Sequence, residues 1–298
     1  KVYILSSGAL YSYNRSDNEI RLYDKINTLS DIDIKHIAYC KDIKALVIVY
    51  SNANIDILYD DEEIYNISDF KNKILPEKEI NNIYIQGTTA YLSTEFGTVI
   101  VDLENLEFRN TYNTGLDTYC TIMLDNRLYS ATEKGLYIGN TADNLLDKNN
   151  WKNINSNIIT SICENKGEIY CIVKEGTVNR LNTETNLLEK ISNNKGFKYL
   201  YSNGDKVIAG SPNQLIEIEN GSIINTYQLK NSPSFVLKDG NEYWCCNGYN
   251  GVVESHATDK TIEAKKDIVQ PESPIRNYCE FMKFVSDDKL LIAGGNLN

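Results

Sequence analysis

One short stretch is written again and again along the 298 residues. In its clearest copy, residues 87–103, Tyr91 and Leu92 carry one β-strand and Val99, Ile100 and Val101 carry a second. Glu95, Phe96 and Gly97 make the tight turn between them. Gly97 suits that turn, because glycine takes a positive φ that a side chain resists. The same strand–turn–strand shape recurs at 2–11, 46–58, 128–138, 169–178, 207–218 and 243–253, and begins again at 290–295. Aligned on the turn, the copies bring Gly8, Ala53, Gly97, Gly135, Gly176, Gln214 and Gly251 into register, at intervals of 45, 44, 38, 41, 38 and 37 residues. That period fits four-stranded propeller blades. It is too long for a leucine-rich repeat, and the amphipathic helix pairs of a helical solenoid are missing.

Each hairpin follows another short apolar segment, at 34–39, 80–85, 119–124, 158–163, 197–201, 234–237 and 278–285. As the first strands of their blades, these would line a central channel. Weaker fourth strands follow at 20–23, 108–112 and 223–229. The pattern predicts an all-β fold, a β-propeller of seven four-stranded blades, with eight as the alternative. The termini fit ring closure. Residues 1–23 supply outer strands with no inner strand before them, and 278–294 supply an inner strand and its neighbour with no outer strands after them. Joined in one blade, the two ends would close the circle and remove the sheet edges. Residues 2–5 and 290–293 both claim the second-strand position of that blade. No linker divides the chain, so 1–298 reads as a single propeller domain. It starts at Lys1, already inside a strand pattern, and is expected to be a processed or trimmed piece of a longer chain. Helix signals are confined to 66–79, where Ser68 caps a turn and Pro76 ends it. Residues 140–151 are a polar insertion in the fourth blade.

Chemistry is sparse. A net charge of −11 argues against a nucleic-acid partner, which needs a basic footprint. The 21 tyrosines suit half-buried strands, where the ring packs and the hydroxyl reaches water. Cys40, Cys120, Cys163, Cys171, Cys245, Cys246 and Cys279 are odd in number and irregular in spacing, which makes neither a disulfide framework nor a zinc site. They read as small buried apolar residues, with a single bridge such as Cys163 to Cys171 left open. His36 and His256 sit in different blades and without neighbours at metal-ligand spacing. Nucleophile-elbow, phosphate-loop and calcium-loop motifs are absent. The acidic runs 60–63 and 31–33 read as turns. No catalytic, cofactor-binding or metal-ligating residue is therefore expected, and no enzyme activity. Trp244 lies within a strand pattern and reads as core. Trp151, at the end of the polar insertion, is the one candidate for ligand binding, by stacking on a sugar ring; packing between blades is its other reading. No run of about 18 apolar residues predicts a transmembrane segment.

Several strings together resemble a known family. They are Tyr50-Ser51-Asn52-Ala53-Asn54-Ile55-Asp56, Ile64-Tyr65-Asn66-Ile67-Ser68-Asp69, Ile80-Asn81-Asn82-Ile83-Tyr84 and Ala90-Tyr91-Leu92-Ser93-Thr94-Glu95-Phe96-Gly97. Ala131-Thr132-Glu133-Lys134-Gly135-Leu136-Tyr137 and Asn144-Leu145-Leu146-Asp147 with Asn150-Trp151 continue the series. In that order they resemble the amino-terminal propeller of PorZ-like proteins, best over 40–155. The resemblance implies a chain exported by Bacteroidetes, in the periplasm or at the outer-membrane surface, with its signal peptide removed. It implies a component of the type IX secretion system, beside the sortase-like machinery that transfers cargo to an anionic lipopolysaccharide. PorZ-like proteins have two propellers and a small β domain, and this chain covers one propeller. The function so implied is a non-enzymatic scaffold with protein partners and, as a further partner, lipopolysaccharide or another glycan. The propeller is also similar to the periplasmic sensor halves of hybrid two-component regulators, which detect glycans. A glycan-active enzyme using carboxylates in the central cleft is the third reading. Neither family supplies catalytic residues to carry over.

Overall fold

A strand covered on both faces reads as a continuous apolar run rather than an alternation. In a computed structural model of the chain, Ala45–Tyr50 and Gly97–Asp102 are buried at every position. Each lies in the middle of a four-stranded antiparallel sheet whose faces are covered by the sheets before and after it. The structure describes residues 1–72, 79–248, 251–265, 268–269, 279–286 and 289–294, the last two stretches by their backbone. Six antiparallel meanders of four strands follow one another. They run from Ile34–Cys40 through Ile64–Ile67, from Ile80–Gln86 through Glu107–Asn113, and from Thr118–Leu124 through Trp151–Asn155. The others run from Ile159–Asn165 through Leu188–Lys190, from Tyr199–Ser202 through Ser222–Leu229, and from Phe235–Asp239 through Thr261–Ala264. The last two touch edge to edge through a short parallel pairing of Gln228 with Thr261 and Leu229 with Ile262. A three-stranded sheet, Val2–Ser6, Ala9–Tyr13 and Ile20–Tyr23, precedes them, and a hairpin of Cys279–Ser286 with Lys289–Gly294 follows.

The fold is all-β, with the repeated four-stranded sheets of a β-propeller. Named helices among the described residues are Asp69–Asn72 and a 3-10 turn at Lys148–Asn150, and Gly248 is also in 3-10 conformation. The Asn72 amide donates to the Ser68 carbonyl at 3.0 Å, which places Ser68 at the expected helix start. Pro76, the expected helix end, lies outside the described residues, as do Tyr278 and Gly295.

The first sheet shows how one alternating sequence serves two neighbours. Tyr3, Leu5, Leu10 and Tyr23 pack on the Ile34–Ile67 meander, against Ile34, Leu46, Ile48 and Leu58. Val2, Ile4, Tyr11, Tyr13 and Ile20 point the other way, against Trp244 and Val252 of the Phe235–Ala264 meander. Successive side chains on a strand face opposite sides, so a single residue of slippage would empty both cores.

Six of the seven aligned turn positions take a positive φ: Gly8, Ala53, Gly97, Gly135, Gly176 and Gly251. Gln214 departs from the pattern. It opens the strand Gln214–Glu219, and the turn before it is held by the Ser211 hydroxyl, which accepts the Gln214 amide at 3.0 Å, so no left-handed residue is needed. At Gly97 a β-carbon would stand 2.1 Å from the Tyr112 carbonyl oxygen, and at Gly135 it would stand 2.3 Å from that of Asn155. These two positions require glycine for space as well as for φ.

Candidate functional site

The first strands of successive meanders pack side by side around the centre. Four of them break register at the same step. The pairing jumps from Ile34 to His36, from Ile80 to Asn82, from Thr118 to Cys120 and from Ile159 to Ser161. Each jump is a β-bulge, an extra residue that re-aims its side chain. The extra residues are Lys35, Asn81, Tyr119 and Thr160. All four lie at the start of an inner strand, on the rim where the chain enters each blade.

Two of the bulged side chains, Lys35 and Asn81, also tie one blade to the next. Lys35 pairs with Glu79, the residue before the next inner strand, and holds its carboxyl below the usual range. The Asn81 amide donates to the Asp117 carboxylate at 2.8 Å and to the Thr118 carbonyl at 3.0 Å, the same step one blade on. Burial, followed by the nearby Asp117 and Glu133 carboxylates, pushes the pKa of the Tyr119 hydroxyl up. The Thr160 hydroxyl donates to the Ile172 carbonyl at 3.3 Å. Just inside the rim, His36 Nε2 lies 2.8 Å from the Ile80 carbonyl, and burial lowers its pKa. This histidine is a blade-to-blade tie; His256 is exposed on its strand.

Between the Tyr199–Leu229 and Phe235–Ala264 meanders, tyrosines do the same work. Tyr199 Oη accepts the Val236 amide at 2.9 Å. Tyr201 Oη accepts the Lys238 amide at 2.7 Å and donates to the Val236 carbonyl at 3.1 Å. Both rings lie against Phe235, at centroid distances of 4.5 and 5.6 Å. The unpaired edge of an inner strand, otherwise a template for another chain, is thus covered by its neighbour's side chains.

Two buried carboxylates make further joints. Glu217 is 1% exposed and receives Tyr243 Oη at 2.6 Å, Lys238 Nζ at 2.7 Å, Asn225 Nδ2 at 2.8 Å and Lys206 Nζ at 3.2 Å. Burial alone would raise its pKa; the bonds from Lys238, Tyr243 and Asn225 outweigh it and hold the carboxyl at about 2. Asp31 is likewise buried, and Lys71 and Asn52 at 2.6 Å hold its pKa down against burial. It is a joint between the entering loop and the Ile34–Ile67 meander, a larger part than the turn its sequence suggests. Among 60–63, Glu62 receives Lys1 and Arg21 from the first sheet.

Trp151 is 6% exposed. Its indole N–H donates to the Leu145 carbonyl at 3.1 Å, and its ring packs on Tyr112. With Tyr91, Ile100 and Leu128 it fills the seam between two blades, so neither face is open to a sugar. Trp244 is buried against Tyr13. The six described cysteines are free thiols, Cys163 and Cys171 included, and burial pushes the Cys171 thiol up to about 12. Among the described residues no three His, Cys, Asp or Glu side chains converge as a metal site, and no helix is long and apolar enough to cross a membrane.

The rim residues escape a search for chemical motifs, yet their position is written in the sequence. Ile34-Lys35-His36-Ile37, Ile80-Asn81-Asn82-Ile83 and Ile159-Thr160-Ser161-Ile162 repeat isoleucine at a spacing of three inside a strand. A spacing of three breaks the period of two, and that break is the mark of a bulge.

Residues 2–152 match the family model of the type IX secretion system PorZ amino-terminal β-propeller domain. PorZ of Porphyromonas gingivalis, described as an essential bacterial surface component of that system, is 27% identical with a TM-score of 0.82. The alignment covers 99% of this chain and 40% of PorZ, so the chain spans about two fifths of that relative's length. The computationally designed protein Ika8 is 10% identical with a TM-score of 0.62, over 96% of this chain and 87% of its own. The extracellular domain of the hybrid two-component system BT3049 of B. thetaiotaomicron is 17% identical with a TM-score of 0.49, over 96% of this chain and 47% of its own. No curated protein sequence matches the chain.

Proposed function

We propose that this chain, which belongs to the PorZ amino-terminal β-propeller family of the type IX secretion system, is a binding scaffold without catalytic activity. In this reading residues 1–298 form one propeller of seven blades, closed by joining the two ends of the chain in one blade. The protein is exported and works at the outer-membrane surface, where its rim engages a protein or glycan of the secretion and attachment machinery.

One observation carries the reading. Four consecutive blades repeat the same bulge and so present Lys35, Asn81, Tyr119 and Thr160 around one rim. Lys35, Asn81 and Thr160 are fixed by their own ties, which favours recognition through pre-organisation. The carboxylates beside them are engaged by Lys35 and Asn81 rather than set as an acid and base facing a common space.

The test is complementation of a deletion strain with the full-length gene carrying Asn81→Ala and Thr160→Ala together. Cargo secretion or its attachment to the surface should fall while the protein accumulates normally. Unchanged secretion and attachment would remove the rim from the function. Full restoration of both by an empty vector would remove the scaffold reading altogether.

A further inference from the structure

One buried cluster joins a carboxylate, two lysines and an asparagine in the seam between the Tyr199–Leu229 and Phe235–Ala264 meanders. Glu217 stands opposite Ile208 on one neighbouring strand and opposite Asn225 on the other. Residues directly opposite share a face of the sheet, and Lys206, two residues before Ile208, falls on that face as well. The turn before Lys206 pins its backbone, since Asn203 Oδ1 accepts the Lys206 amide at 2.9 Å. The next meander supplies Lys238 and Tyr243. Tyr243 packs with Ile208, Leu215, Tyr227 and Val236 in the apolar core of this seam.

The two oxygens of Glu217 divide these partners. Oε1 receives Tyr243 Oη at 2.6 Å and Lys238 Nζ at 2.7 Å. Oε2 receives Asn225 Nδ2 at 2.8 Å and Lys206 Nζ at 3.2 Å. An amine and a primary amide thus meet on one oxygen, which can take a proton from the first and give it to the second. Charge points the same way. Two ammonium groups face one carboxylate, and burial makes the excess charge costly. Lys238 has a second hold on Tyr243, with Oη at 2.6 Å and the ring centroid at 4.3 Å. The Lys206 ammonium meets Glu217 alone among the described residues, so it is the more weakly held of the two.

We propose that the Lys206 amine and the Asn225 side chain join in an isopeptide bond, with Glu217 carrying protons between them. Glu217 Oε2 takes a proton from the Lys206 ammonium and frees its lone pair. The flexible stem of Lys206 brings Nζ to the Asn225 Cγ, and the Nζ–Cγ bond forms. The Cγ–Nδ2 bond breaks. Its nitrogen leaves as ammonium, with its electron pair and two protons from Nζ passed through Glu217. No oxidant or other reactant is consumed. The charge that departs is the excess one, so Lys238 and Glu217 remain as a one-to-one pair. The covered seam keeps water from taking the place of the amine, and one turnover per molecule suffices. The bond staples the strands Val207–Gly210 and Ser222–Leu229 across Gln214–Glu219, which lies between them. It goes beyond the scaffold reading and needs no partner protein.

The test is the intact mass of the purified chain under denaturing conditions, followed by tandem mass spectrometry of its peptides. The expected mass is lower than that of the sequence by one ammonia, about 17 Da, with a branched fragment joining residues 206 and 225. Lys206→Arg and Asn225→Ala should each show the full mass of their own sequence. Glu217→Gln, sampled through a chase after cell-free synthesis, should form the bond at least about a hundredfold more slowly. A folded wild-type chain of unchanged mass overturns the proposal. So does a lost ammonia that maps to Asn203 or Asn220, each followed by glycine and able to cyclise on its own. A branch on Lys238, or a bond that forms as fast in Glu217→Gln, overturns the roles given to Lys206 and Glu217.

Discussion

Arg15 of the first sheet reaches Glu254 on the far meander, Nη2 to carboxylate at 3.1 Å, with its guanidinium 5.5 Å from the centre of the Trp244 ring. A second fork arm meets Asp239 at 3.3 Å. Glu254 is 2% exposed, whereas Arg15 is 39% exposed, so the pair is dry on one side and wet on the other. Removing the partner of a buried carboxylate costs more than an exposed pair contributes. Arg15→Ala is expected to cost about 2 kcal/mol in urea unfolding of the whole chain. Arg15→Lys should recover less than half, because lysine keeps the charge and loses the fork and the ring stacking. A loss below about 0.5 kcal/mol for Arg15→Ala would show that the seam holds through its apolar contacts alone.

Glu217 makes acid stability a local property. Its folded pKa, about 2, lies below the ordinary value of 4.5. A depressed carboxyl contributes stability that is fully present above the unfolded pKa and is lost as pH falls through the folded one. The contribution, on the order of 3 kcal/mol at neutral pH, should therefore drain away between about pH 4.5 and 2. Glu217→Gln should be less stable at neutral pH and show a flatter stability profile across that window. An unchanged slope in Glu217→Gln would mean that other carboxylates, Asp31 first among them, set the acid limit.

Gly97 and Gly167 share a positive φ but differ in space. A β-carbon on Gly97 would meet the Tyr112 carbonyl at 2.1 Å, while one on Gly167 would meet nothing within 4 Å. Gly167→Ala should cost about 1 kcal/mol, for the backbone alone. Gly97→Ala should cost at least about 3 kcal/mol, since the carbonyl must move and its sheet with it. Equal costs from thermal unfolding would place the penalty in φ and not in the contact.

Tyr201 carries two backbone bonds on one oxygen. Tyr201→Phe keeps the ring against Phe235 and strands the Lys238 amide and the Val236 carbonyl, for an expected loss of about 2 kcal/mol. The amide of Lys238 should then exchange with solvent at least tenfold faster, which a packing defect in the ring alone would not produce. Unchanged exchange at Lys238 would mean that another acceptor takes over.

The repeated sheets of the propeller were legible because burial on both faces leaves long apolar runs such as 45–50, and because glycine marks the tight turns at 97 and 135. The exception at Gln214 was not legible, since a serine hydroxyl two bonds from the backbone does there what a left-handed residue does elsewhere. The rim was half legible. The isoleucine spacing of three was on view at 34–37, 80–83 and 159–162, but a search for reactive residue types passes over Lys35 and Asn81. Trp151 was open to two readings in the sequence, and in the structure it packs between blades. Its polar flank, 140–150, folds back so that Leu145 caps the indole, and nearness to a polar loop says nothing of which way a ring turns. Asp31 and Glu217 show the limit most plainly. Their partners Lys71 and Lys238 lie 40 and 21 residues away in sequence, and nothing local announces them.

The direction of the inner-strand ties bears on how such a ring is made. His36 reaches the backbone of Ile80, Asn81 that of Thr118, and Tyr201 that of Val236 and Lys238; in each the blade that supplies the side chain precedes the blade whose backbone it meets. A chain emerging amino terminus first therefore delivers each bare strand edge to a neighbour already equipped to cover it. The bare edge of the growing stack of blades is then one blade long, and it moves along with synthesis.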